Sequence, residues 1–392
     1  MTPSARVQSA IELLDSIVAA AQAKGPPADR ILGEWFRGNR FAGSKDRRAI
    51  RELVYRAIRA CGPAPPSGRA AMLALAKQDE ALPPLFDGSR YGPAPVGQGE
   101  PVAEPGVAPP WLVEGLAASG VSGPEADALL GRAPLDLRVN ALKADRATLE
   151  LPLVGEPLPT EQGLRLPFGA PVERWDAYAD GRVEVQDCGS QLACEAVGAA
   201  AGETVIDLCA GAGGKTLALA ARMRNEGTLI AADTDRGRLS RLGPRAERAG
   251  ALVAETVLLD PGREREALGR WREGADAVLV DAPCSGTGTW RRNPEARWRL
   301  TPAEVVRFVS FQSRLLAIAA ELVRPGGRLV YVVCSLLDAE GADGVAAFLA
   351  AHPGWRADPP VLPLGTPRGT GIRLTPFHDG TDGFFIARLG KP

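Results

Sequence analysis

The stretch TVIDLCAGAGGKT, Thr204–Thr216, opens as a short apolar run, closes on Asp207-Leu208-Cys209, and turns through glycines into a segment that reads as helix. Gly211, Gly213 and Gly214 permit a tight turn and close approach of backbone to a ligand. The spacing fits neither the phosphate-binding G-x-x-x-x-G-K-[ST] pattern nor G-x-G-x-x-G. Outward from this loop the pattern repeats: TLIAAD, LVAETVLLD, ADAVLVDAP, GRLVYVVCS and FFIARL are apolar runs near a glycine or an acid, with helical segments between the first five runs of the series. Continuous rather than alternating apolar character marks strands buried on both faces, which predicts a parallel, doubly wound α/β sheet.

The 392 residues allow two or three domains, and 45% apolar residues supply a sizeable core. No apolar run approaches the ~20 residues that span a bilayer, and MTPSARVQSA has no apolar segment behind a basic start, so a cytoplasmic protein is expected. The six cysteines (61, 188, 194, 209, 284 and 334) form no C-x-x-C pair and are read as free thiols. With only His352 and His378, both late in the chain, histidine-based triads and zinc motifs are disfavoured and no metal is expected. Acid–base or nucleophilic work falls to Asp, Lys or Cys.

The net charge of −1 conceals an uneven distribution: residues 1–60 hold eleven Lys and Arg against six Asp and Glu, and Arg291–Arg299 holds four Arg against one Glu. Helical spacing of Val7, Ile11, Leu14 and Val18, then of Ile50, Leu53, Val54 and Ile58, predicts a small helical bundle with arginines largely on its outer face. Residues 61–110 contain eighteen Gly or Pro in fifty positions, so the portion after Tyr91 reads as an extended linker. The expected division is a helical domain over 1–90, a linker over 91–110, a small α+β subdomain over 111–181 and the sheet domain over 182–392.

Ligands of open α/β sheets bind beyond the carboxyl ends of the strands. Asp233 and Asp260 close the second and third runs and, with the glycine loop, describe a nucleoside pocket in which Asp233 meets a ribose diol. Asp281-Ala-Pro-Cys284 closes the fourth run and Cys334-Ser335 the fifth. If those strands are neighbours, ~4.8 Å apart, two thiols and a carboxylate share one crevice.

DAPCSGTG, the Cys-Ser after LVYVV, DLCAGAGGK and the terminal DGTDGFFIARL together resemble bacterial RNA cytosine-5 methyltransferases of the 16S ribosomal type, related to the NOL/NOP/SUN proteins. LRVNALK, VQDCGSQLA, RRNPEARW and Gln312 extend the resemblance over roughly residues 111–392, and KDRRAIRELVYRAIR resembles part of a NusB-like RNA-binding domain. The resemblance implies a Rossmann-like class I methyltransferase sheet with a small α+β subdomain and an all-α N-terminal domain. It implies S-adenosylmethionine held by Cys209, Ala210, Gly211, Ala212, Gly213, Gly214 and Lys215, with Asp233 on the ribose and Asp260 near the adenine. Cys334 is then the nucleophile, Cys284 assists product release, Asp281 borders cofactor and target cytosine, and Lys215 faces the reaction centre.

The residue types suit the chemistry. Carbon 5 of cytosine is a poor nucleophile until a thiolate adds to carbon 6. The target base has to leave its stack, and Arg291, Arg292 and Trp298 are candidates to hold phosphate and stack a flanking base, Trp298 being equally compatible with core packing. The partner expected is RNA, ribosomal RNA first, and the chain is taken as a monomer. Rival readings are a transfer-RNA or DNA cytosine-5 methyltransferase, or a non-catalytic RNA-binding ribosome-assembly factor. The sequence departs from the family pattern at Gly211-Ala212, at Val333, and after Glu340, where Gly341 and Ala342 follow.

Overall fold

A computed structural model describes residues 1–392 and resolves them into two compact units, Met1–Arg132 with Thr289–Pro302, and Ala133–Gly288 with Ala303–Pro392. No helix is long and apolar enough to cross a membrane.

The first unit is built on α1 (Pro3–Gln22), α2 (Ala28–Gly38), α3 (Ser44–Ala60) and α4 (Gly68–Ala76). Thr2 and Ser67 start α1 and α4 by accepting the amides of Ala5 and Ala70, which would otherwise lack a partner. Their periodic apolar faces meet in one core containing Leu14, Ile17, Leu32, Ile50, Val54, Ile58 and Met72. Close approach of α1 and α4 requires Gly68, where a Cβ would lie 2.2 Å from the Ile11 carbonyl oxygen.

Two segments depart from expectation. The Pro/Gly-rich stretch is packed on the helices rather than free: the Ala103 amide bonds the Ala70 carbonyl at 3.1 Å, Gly62 bonds Glu104 at 2.9 Å, and Arg69 bonds the Ala94 carbonyl. Proline-rich backbone lacks internal hydrogen bonds, so its polar groups remain available to neighbouring elements. The second is Thr289–Pro302, expected in the sheet domain but belonging to the helical unit. Trp298 is buried in the helical core with its indole N–H on the Gly62 carbonyl, so it does not stack a flanking base. Arg297, fully buried, donates to the carbonyls of Ile58, Cys61 and Pro294, which satisfies acceptors at the end of α3. Burial lowers its pKa to about 9. The Glu295 carboxylate accepts the Ala28 amide at 2.9 Å and caps α2, whose preceding Pro27 has no side chain to do so. Arg291 is buried as well.

The second unit contains two sheets. The smaller comprises β1 (Leu135–Val139), β2 (Glu156–Pro157), β3 (Gly163–Leu166) and β4 (Val183–Val185) in the antiparallel order β2-β3-β1-β4, over a core of Leu137, Val139, Leu164, Trp175 and Val183. The larger comprises β5 (Thr204–Asp207), β6 (Thr228–Asp233), β7 (Glu255–Leu258), β8 (Ala275–Asp281), β9 (Val323–Val333), β10 (Arg356–Ala357), β11 (Thr366–Arg368), β12 (Gly371–Leu374) and β13 (Phe384–Gly390). Its order is β7-β6-β5-β8-β9-β13-β12-β11, with β10 on β13. Val205, Ile206, Val278, Leu279, Val330 and Tyr331 are fully buried, as unbroken apolar runs require.

Strands β5 to β9 are parallel, the Rossmann-like arrangement expected, but β13 runs antiparallel to β9 and β12 antiparallel to β13. The expectation of a wholly parallel sheet fails for FFIARL. The connection from β12 to β13 is too short for a parallel crossover, which takes a dozen or more residues. From β5 the chain steps outward to β6 and β7, then returns to place β8 and β9 on the other side. The switch in strand order therefore lies between β5 and β8.

Candidate active site

The carboxyl ends of β5 and β8 flank this switch, where an open sheet presents a ligand crevice. Beyond β5 the chain reverses into the helix Gly214–Arg222 through Gly211 (φ +55°) and Gly213 (φ +87°), left-handed conformations that favour glycine. A Cβ on Gly211 would strike the Arg238 guanidinium at 2.4 Å, and one on Gly213 would strike Leu242 at 2.1 Å. Gly214 faces open space. Asp233, at the end of β6, fixes the loop by accepting the amides of Gly211 and Asp235, each at 2.7 Å. Arg245 holds the Ala212 carbonyl at 2.7 Å. Ala210 is buried and Cys209 half-buried, its thiol raised well above the ordinary value by burial. Asp260 lies exposed just beyond β7, at the far edge of the sheet.

Sequence pattern alone assigns no role to Asp207. It is fully buried; one carboxylate oxygen accepts the Thr216 hydroxyl at 2.7 Å and the other has no partner. Burial pushes its pKa up to about 7 against the lowering bond from Thr216, with the charges of Asp281 and Asp233 adding to the rise. Its strand-end position ahead of the glycine loop was the available signal.

Lys215, on the first turn of the following helix, donates to Asp281 at 2.6 Å, and its ammonium lies 5.7 Å from the centre of the Phe384 ring. Burial pulls the Lys215 pKa down, but Asp281 and the sulfurs of Cys194 and Cys334 outweigh it and the net shift is upward. Lys215 is therefore a fixed positive charge that also interacts with Cys334.

Cys284 and Cys334 are half-buried beyond the adjacent parallel strands β8 and β9, with their sulfurs 3.4 Å apart. The hydrogen bond to Cys334, then burial, raises the Cys284 pKa well above the ordinary value. One of the two sulfurs donates to the other, and the geometry is the same whichever carries the proton. By contrast Cys61, Cys188 and Cys194 are buried, and burial raises their thiols to about 12, 12 and 11. Such thiols are poor nucleophiles. Glu340, the residue just before the departure at Gly341-Ala342, is fully buried beneath both cysteine loops.

The glycine loop, the Lys215–Asp281 pair and the paired thiols thus lie beyond the carboxyl ends of the adjacent strands β5, β8 and β9. Asp207 keeps a buried carboxylate oxygen without a partner, and Gly214 leaves open space at the helix N-terminus. This set suits a ligand with polar nucleoside edges and positive charge.

A protein-family profile described as 16S rRNA methyltransferase RsmB/F matches residues 196–390. The chain is 36% identical over 275 residues to the probable ribosomal RNA small subunit methyltransferase B of Synechocystis sp., covering 66% of this chain and 60% of that protein. It is 36% identical over 293 residues to ribosomal RNA small subunit methyltransferase B of Xylella fastidiosa, covering 72% and 67%. The match thus spans about 60% of the length of the first of these relatives. Among solved structures, NSun6 from Pyrococcus horikoshii with SFG superposes with a TM-score of 0.63 at 21% identity, over 72% of this chain and 98% of that one, a likeness of fold.

Proposed function

The chain belongs to the 16S rRNA methyltransferase RsmB/F family, and from that premise we propose that it transfers a methyl group from S-adenosylmethionine to carbon 5 of a cytidine in 16S ribosomal RNA, in the cytoplasm. The observation that carries the reading is the pair of sulfurs 3.4 Å apart, beyond adjacent strands, beside the Lys215–Asp281 ion pair.

Residues 209–215 and Asp233 would hold the cofactor, with Asp207 facing its positive charge; Asp260 is the candidate at the adenine edge. Bound there, S-adenosylmethionine supplies an electrophilic methyl group. The protein's own task is to make carbon 5 nucleophilic. Cys334, as thiolate, adds to carbon 6 of the cytosine, and Asp281 hydrogen-bonds the ring edge so that charge is accommodated as the carbon–sulfur bond forms. Lys215 holds Asp281 in place and puts a positive charge near the attacking sulfur. After methyl transfer a base, for which water and the Cys284 thiolate are the candidates, takes the carbon 5 proton; the carbon 5–carbon 6 double bond re-forms and Cys334 leaves as thiolate. Cys284, 3.4 Å from that sulfur, is placed to assist its release.

The helical unit offers a place for RNA. Between α2 and α3 a cavity of about 470 Å³ is lined by Phe36, Arg37, Arg47, Arg48 and Arg51. The guanidinium carbons of Arg47 and Arg51 lie 5.7 and 5.9 Å from the Phe36 ring centre. Such a cluster suits backbone phosphate.

The test is methyl incorporation from labelled cofactor into unmodified 16S ribosomal RNA, with bisulfite mapping of the modified position. Incorporation into transfer RNA or DNA alone would reassign the substrate, and binding without incorporation would make the chain an assembly factor. A covalent RNA adduct accumulated by Cys334→Ala rather than Cys284→Ala would move the nucleophile to Cys284.

A further inference from the structure

We propose that Glu340 is the positioning residue that sets the spacing of the two thiols. Each cysteine is followed by a serine, and both serines converge on this one buried carboxylate. Ser335 Oγ donates to Glu340 Oε2 at 2.6 Å and Ser285 Oγ donates to the same oxygen, the two hydroxyls lying 3.0 Å apart. Ser285 N donates to Glu340 Oε1 at 2.9 Å. Gln312 Nε2 donates to Glu340 Oε1 at 3.1 Å and to the Pro283 carbonyl at 2.9 Å. The residues on either side of Cys284 are therefore both tied, directly or through Gln312, to the group that holds the residue after Cys334.

Glu340 is itself fixed, since Tyr331 of β9 donates its hydroxyl to the Glu340 carbonyl at 2.7 Å. β8 and β9 are in register only to Asp281 and Val332. Beyond that point the sheet ladder no longer dictates where the sulfurs go. The bond from Gly288 N to the Cys334 carbonyl, at 3.0 Å, and those of Thr287 to Ser335 and Leu336 join the loops farther along; at the residues adjoining the cysteines the links are the direct Ser285–Ser335 hydroxyl contact and Glu340, which binds both serines. Removing it takes an acceptor from the Ser285 amide, from both serine hydroxyls and from the Gln312 carboxamide, and the loops rearrange to recover partners.

The structural part of the proposal stands on geometry alone, and its catalytic part rests on the methyltransferase reading. The experiment separates the two by cross-linking Cys284 to Cys334 with dibromobimane in the full chain without RNA, alongside methyl-transfer kinetics. Misplacement of a reacting group by about 1 Å costs on the order of 100-fold, so Glu340→Ala is expected to lower kcat by about that factor while the cofactor KM changes less than about twofold. The cross-linking rate should fall by about tenfold. Glu340→Gln, which keeps one acceptor and the shape, should restore both toward wild type. Unchanged cross-linking in a Glu340→Ala protein that melts like wild type overturns the proposal, as does a fall in kcat that Gln does not rescue. Should Glu340→Ala fail to fold, the Ser285→Ala/Ser335→Ala double variant decides: slower cross-linking supports the strap, and an unaltered rate overturns it. If wild type methylates no RNA, the proposed function fails while cross-linking still judges Glu340.

Discussion

β8 and β9 both run into a Cys-Ser dipeptide, Cys284-Ser285 and Cys334-Ser335, and both serines bond the same carboxylate, yet the two sulfurs meet different surroundings. The contact with Cys334, then burial, raises the Cys284 thiol well above its ordinary value. Cys334 lies 3.4 Å from the Cys284 sulfur and interacts with the Lys215 ammonium. Identical residue types in matching places thus meet different electrostatic surroundings. The thiol that accepts positive surroundings is the one suited to attack carbon, since thiolate rather than thiol is the nucleophile.

This asymmetry can be broken most severely at Cys334. Cys334→Ala should reduce methyl transfer by about 10³-fold or more and leave no protein–RNA adduct on denaturing gels. Cys284→Ala should cut turnover by about 10²- to 10³-fold, but with the adduct accumulating, because departure of the sulfur is impaired rather than its attack. Equal behaviour of the two variants on the gel would erase the distinction. Lys215→Met removes the charge that separates the two thiols and should lower single-turnover methylation by about 10²-fold with both cysteines intact.

The smallest effect concerns Asp207. Its folded pKa of about 7 lies above the 3.8 of a free aspartate, so the native state holds the proton more tightly and stability falls as pH rises through 7. Between pH 6 and pH 8 this group should remove about 1 kcal/mol of unfolding free energy from the cofactor-free chain. Urea unfolding of Asp207→Asn should lack that decline, and an identical pH dependence in both proteins would refute the assignment.

Local pattern carried the strand series, the glycine loop and the placing of two thiols at strand ends, because unbroken apolar runs and glycine turns are written within a few residues. The antiparallel β13 was not legible, since a buried strand reads alike in either direction and only the length of its connection decides. The sequence left Trp298 open between base stacking and core packing and assigned Arg297 no burial, because a short aromatic and basic run looks the same whether it faces RNA or fills a core some 240 positions earlier in the chain. Glu340 was visible as a residue, but its bonds to Ser285 and Ser335 join loops that sequence spacing does not connect. The raised pKa of Asp207 depends on burial by the assembled sheet, which no local motif encodes.

Placing Thr289–Pro302 in the helical unit bears on how the protein is made. A ribosome delivers α1 to α4 first, but Trp298, Arg297 and the Glu295 cap of α2 arrive only after β5 to β8 have been synthesised. The earliest helices therefore wait for the middle of the message before their core is complete, and maturation does not follow the order of translation. A gene shortened to end at Arg132 would encode those helices without the indole and the carboxylate that finish them.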